Sequence, residues 1–63
     1  MRTRLLNLGF ADLGGNLYEC ELFRVELDPI TLVLYKVIYG PDGEITYEAT
    51  TLEQIEEELS NAY

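Results

Sequence analysis

Twelve carboxylates are the only abundant groups in this chain that could do chemistry. They are accompanied by no histidine, one cysteine (Cys20), one lysine (Lys36) and one serine (Ser60). Paired carboxylates can run general acid and base steps when a pocket separates their pKa values, and a hydroxyl or thiol needs a neighbouring base to become a nucleophile. No nucleophile here has a histidine beside it, and one helix on a small sheet is too thin to enclose a pocket. The expectation is that the protein is not an enzyme. Cys20 sits in Leu17-Tyr18-Glu19-Cys20-Glu21-Leu22, where flanking carboxylates disfavour a thiolate, so it reads as a small buried hydrophobe. A zinc site lacks its usual ligands, and Asp42-Gly43-Glu44 is too short for a calcium loop, so no metal and no cofactor is expected.

The carboxylates instead suggest a binding surface. Glu53, Glu56, Glu57 and Glu58 crowd one short segment with no lysine or arginine after Lys36, and like charges three or four residues apart cost a helix about 0.2–0.5 kcal/mol per pair. Glu19, Glu21, Glu26, Glu44 and Glu48 add acids at alternate positions of presumed strands, a repeat of about 6.6 Å. Two phosphates along one DNA strand advance by about 6.8 Å, so such a surface could imitate a nucleic-acid backbone. The acidic partner-binding candidates are therefore Glu19, Glu21, Glu44, Glu48, Glu53, Glu56 and Glu57. A formal charge of −8 repels phosphate backbones and anionic membranes and steers the protein toward basic surfaces. Direct nucleic-acid and membrane binding are excluded from the expected functions, and a protein partner with a basic surface is favoured. The plainer reading is that the charge keeps a small domain soluble.

These groups must be positioned by one domain, residues 1–63, since a chain this short buries only about 60% of its unfolded surface. A lone cysteine allows no internal disulfide, so self-association or docking is the remaining source of extra stability. The longest nearly apolar run, Ile30 to Tyr39, contains Lys36 and is too short to span a bilayer. The start, Met1-Arg2-Thr3-Arg4-Leu5-Leu6, lacks the features of a signal peptide, and an intracellular setting is expected.

Gly40-Pro41-Asp42-Gly43 predicts a three-residue hairpin loop, with Gly43 at the bulge position that needs φ > 0. With Gly40 facing Glu44, Tyr39 pairs with Ile45, Val37 with Tyr47 and Tyr35 with Ala49 on one face. Ile38 then pairs with Thr46, and Lys36 with Glu48, on the other. Gly14-Gly15-Asn16 predicts a second three-residue loop, pairing Leu13 with Leu17, Phe10 with Cys20, Leu8 with Leu22 and Arg4 with Glu26, and setting Glu19 against Ala11. Leu52, Ile55, Leu59 and Ala62 form one helical stripe, capped by Thr50 or Thr51 with Glu53 or Gln54 as box partners. The expected fold is α+β, a four-stranded antiparallel sheet of two hairpins followed by one C-terminal helix, in the order ββββα.

In this reading Tyr35, Tyr39 and Tyr47 meet the helix, and Leu32, Leu34 and Ile38 point to the uncovered face. Contiguous apolar groups rimmed by charge mark an interface, so these three are candidates for an oligomer or partner contact. In size, charge and a small sheet with one helix, the chain resembles phage-encoded inhibitors such as acidic anti-CRISPR proteins and uracil-DNA glycosylase inhibitors. That resemblance lies in composition and architecture, includes no motif and transfers no residue role. It implies an inhibitor that occupies a basic, nucleic-acid-binding groove of a target protein. The alternative is a small homodimeric structural or accessory protein whose charge serves only solubility.

Overall fold

The computed structural model of the chain describes residues 1–62. Its elements are α1 (Arg2–Asn7), β1 (Ala11–Gly14), β2 (Leu17–Glu19), β3 (Arg24–Leu27), β4 (Leu34–Tyr39), β5 (Ile45–Thr50) and α2 (Leu52–Ala62). The class is α+β with an antiparallel sheet, as expected, but there are five strands rather than four and a second helix at the N-terminus. The strands form one meander in chain order, β1-β2-β3-β4-β5. Both helices lie on one side of it, giving a slab 33 × 31 × 19 Å.

The β4–β5 hairpin has the expected register throughout, from Tyr39 opposite Ile45 to Tyr35 opposite Ala49. Its loop closes through Gly40 N–H to Glu44 O at 2.8 Å, and Gly43 takes φ +82°. Helix α2 also follows the pattern. Leu52, Ile55 and Leu59 are buried along one stripe, and the Thr51 hydroxyl caps the first turn by accepting from Gln54 N–H at 3.2 Å. Ala62, the last member of the proposed stripe, is exposed.

The first half differs in three ways. The segment expected to pair Arg4 with Glu26 and Leu8 with Leu22 forms α1 instead. It ends in a Schellman motif: Gly9 N–H bonds Leu6 O and Phe10 N–H bonds Leu5 O, each at 3.1 Å. Gly9 holds φ +100° there, which a side chain would disfavour. The motif's apolar contact pair, Leu5 and Phe10, belongs to the core. Second, the long strand expected after Asn16 folds back at Glu21-Leu22, where Cys20 N–H bonds Phe23 O at 3.0 Å. That turn contains no Gly, Pro, Asn or Asp. Packing supplies the reason, since folding back brings Phe23 edge-on to Phe10 with ring centroids 5.7 Å apart. Third, the β1–β2 loop is a two-residue turn with φ +61° at Gly15 and +64° at Asn16, a type I′ arrangement. The register is as expected at Ala11 opposite Glu19, then shifts at a bulge so that Gly14 rather than Leu13 faces Leu17. Asp12 holds the bulge by accepting from Gly14 N–H at 2.9 Å.

The sheet faces are inverted relative to expectation. Tyr18, Val25, Leu27 and Leu34 point to the helices and join Leu5, Phe10, Leu52, Ile55 and Leu59 in the core. Leu34, expected at an interface, is 2% exposed beneath α2. Tyr35, Tyr39 and Tyr47, expected under the helix, lie on the other side. Lys36 is what makes the helix side look polar. It faces Glu48 across the ladder as expected, but its ammonium reaches Glu58 of α2 at 3.0 Å and lies 4.8 Å from the Phe23 ring centroid. Its stem covers core while its charge stays at the rim. Of the other two apolar interface candidates, Ile38 sits at the margin of the helix side, and Leu32 is exposed in the β3–β4 loop.

Two substitutions test this core assignment in opposite directions. Leu34→Ala should lower unfolding free energy by about 2–5 kcal/mol in urea melts. Leu32 holds φ +61°, so Leu32→Asn, which tolerates that conformation, should stabilise by up to about 1 kcal/mol. For a domain of this size such a gain raises Tm by about 4–8 °C. A neutral Leu34→Ala would contradict the placement of that side chain.

Candidate functional site

The antiparallel ladders place the residues of the open face in rows. One row runs Leu17, Glu26, Tyr35, Ala49 and the next runs Glu19, Arg24, Val37, Tyr47, with Tyr39 opposite Ile45 beyond them. Alternation along β4 and β5 assigns these to the side the helices do not cover. Tyr39 and Tyr47 are each 57% exposed and Ile45 51%, while Val37 between them is 8% exposed. Val37, Tyr39, Ile45 and Tyr47 share the walls of a shallow dip of about 210 Å³ with Leu17, Arg24 and Glu26. A wider concavity of about 580 Å³ opens beside it, bordered by Glu26, Asp28, Tyr35 and Tyr47.

Charge on the molecule is arranged around its four basic groups. Arg2 bonds Asp12 at 2.9 Å, Arg24 bonds Glu19 at 3.1 Å, Lys36 bonds Glu58 at 3.0 Å, and Arg4 lies 3.5 Å from Glu56. On the open face the Arg24 guanidinium also stands 6.0 Å from the Tyr39 ring centroid. The hydrogen bond from Arg24 to Glu19 holds the guanidinium still more firmly protonated than usual.

The sequence-selected acids fall on several sides of the slab. Glu19 lies on the open face. Glu21 lies in the β2–β3 turn, so the regular strand spacing from Glu19 is interrupted, and Glu44 stands at the hairpin tip. Glu48 points to the helix side of β5, while Glu53, Glu56 and Glu57 are exposed on α2. The structure therefore does not bring these seven residues into one patch. What it does bring together is Glu26, Tyr35, Tyr39, Ile45 and Tyr47, none of which was selected as a site residue. The common face of Tyr35, Tyr39, Ile45 and Tyr47 is readable from the hairpin register, whereas Glu26 joins them through the β3–β4 pairing, where the expected partner was Arg4. The missing step is which side of the sheet the helix takes. Among the described residues, no helix is long and apolar enough to cross a membrane. Comparison with family models, with curated proteins and with solved structures found no match to this chain.

Two aspartates pin the loops that frame the site, and both are held below the ordinary carboxylate range. Asp12 is lowered first by its hydrogen bond from Arg2 and then by Gly14 N–H. Asp28 is lowered by Ile30 N–H and then by Thr31 N–H, at 2.9 and 3.2 Å. A depressed folded-state pKa adds stability that is complete above the free-aspartate value of 3.8 and is lost as pH falls through the lowered value. Carboxyl-detected NMR titration should give midpoints below 3.8 for both residues. In acid melts, Asp28→Asn should shed less stability than the parent over that interval. Midpoints above the free value would mean the loops are not held this way.

Proposed function

We infer that the chain is a small acidic protein-binding module that docks, through the open face of its sheet, onto a partner with a basic surface. The observation that supports this is the exposure of Tyr39, Ile45 and Tyr47 as neighbours on a rigid sheet while both helices occupy the other side. Tyrosine is enriched among residues that dominate binding energies, because it brings large contact area at little entropic cost. The partner's sign follows from the charge balance. The four basic side chains each have a carboxylate of this chain as neighbour, so the net −8 is presented outward. If the partner's basic surface serves nucleic acid, docking blocks it, which is the inhibitor reading in structural terms. A binding role rather than catalysis also accords with Cys20, which packs partly buried against the core.

Self-association through Leu34 is not compatible with that residue's burial, and two copies of like charge repel as they approach.

Photo-crosslinking tests the docking face. With p-benzoylphenylalanine at position 47, the chain should form an adduct with a protein from its native host, and the same probe at Gln54 on α2 should not. Tyr39→Ala with Tyr47→Ala should weaken capture of that protein by at least about 30-fold, the effect of a binding hot spot. Added salt should weaken it further. Adducts formed from Gln54 and not from position 47 would move the docking surface to the helix side.

A further inference from the structure

The open face contains one recognition unit made from the chain itself. Glu19 on β2, the Arg24 guanidinium on β3 and the Tyr39 ring on β4 line up across three strands, at 3.1 Å and 6.0 Å. The same carboxylate and tyrosine chemistry recurs toward the other end of these strands. Glu26 on β3 is directly opposite Tyr35 on β4, and Tyr47 on β5 is the diagonal neighbour of Tyr35. These three border the concavity of about 580 Å³, with Asp28 at its rim and no basic residue in its lining. All four basic side chains of the chain stand beside other acids.

We propose that this concavity, walled by Tyr35 and Tyr47 and carrying Glu26, receives an arginine side chain of the protein partner. The inference rests on the docking reading above and deepens it. A guanidinium is planar and weakly hydrated, so it stacks on a tyrosine face while its fork of N–H donors meets a carboxylate. A compact, strongly hydrated ammonium makes less of both contacts. The charge of Asp28 persists into acid because two backbone N–H groups hold it ionised. A second copy of the chain is a poor source of the arginine, since two chains that each carry a net −8 repel as they approach.

The test is a 15N NMR titration of the full chain with the acetylated, amidated peptide Gly-Arg-Gly-Arg-Gly, beside counterparts carrying citrulline or lysine. Shifts should centre on Asn16, Glu26, Tyr35 and Tyr47 with the arginine peptide, be weaker with lysine and be absent with the neutral citrulline isostere. Glu26→Gln should weaken binding about three- to tenfold, while Glu53→Gln on α2 leaves it unchanged. Tyr35→Phe should retain binding and Tyr35→Leu lose it, with dispersed spectra showing that each variant is folded. Equal affinity for Glu26→Gln, equal response to citrulline or lysine, or shifts centred on α2 would each overturn the proposal. If position 47 still crosslinks a partner while the peptide titration fails, the arginine pocket falls and the docking face stands. Loss of that crosslink removes the docking face itself.

Discussion

The structure depends on a core that can be built on only one side of the sheet. Among the described residues, six of α1 and eleven of α2 are the only helix available, and both pack against Tyr18, Val25, Leu27 and Leu34. Splitting them across two faces would leave two cores too thin to exclude water, because a domain this small already buries a low fraction of its surface. Placing both on one side gives a single cluster with Leu5, Val25 and Ile55 almost wholly enclosed. The other side must then remain in solvent, and its side chains must tolerate water. Tyrosine, with an apolar ring and a hydroxyl tip, is well suited to that compromise.

The same shortage of material explains how the basic residues are used. Arg2 and Arg4 tie α1 to Asp12 and to Glu56, and Lys36 ties β4 to Glu58 of α2. The Arg2 bridge joins the consecutive elements α1 and β1, whereas those of Arg4 and Lys36 join α2 to elements distant from it in sequence. The exposed Arg2 and Arg4 pairs contribute little to overall stability, and the part-buried Lys36–Glu58 pair fixes the placement of α2 against the sheet. Arg24 is different because it works on the open face, where its contact with Glu19 and Tyr39 fixes side chains that would otherwise be free. For the docking proposed above, ordering these side chains in advance would reduce the entropy cost.

How far the fold was legible in sequence depended on whether the local signal was also the deciding one. The β4–β5 hairpin was readable in full because Pro41 and Gly43 specify the turn and the alternating pattern specifies the register. Helix α2 was readable because Leu52, Ile55 and Leu59 keep a helical period beside a threonine cap. The Glu21-Leu22 turn was not, since its cause is the packing of Phe23 on Phe10, a contact between residues far apart in sequence. Helix α1 left a trace in the apolar pair Leu5 and Phe10 around Gly9, but six residues show too little periodicity to outweigh a strand-like reading. The open face was legible as a set of residues and misread as to side. Lys36 made the true inner face look polar, and only its reach to Glu58 resolves the contradiction.

That inversion matters for function because it exchanges the roles of two residue sets without changing either. Leu34 becomes structural, and the tyrosines become available. It also leaves β5 as an exposed edge beside an exposed aromatic face, an arrangement that invites strand-to-strand aggregation. Glu44 and Glu48 on and beside that strand, together with the net −8, oppose such pairing between copies. Charge thus has two consequences that need not be separated. It keeps identical sheets apart and leaves the same surface attractive to a chain of opposite sign. A face of this kind can remain uncovered in the free protein yet be covered in a complex, because the repulsion that protects it vanishes when the approaching surface is basic.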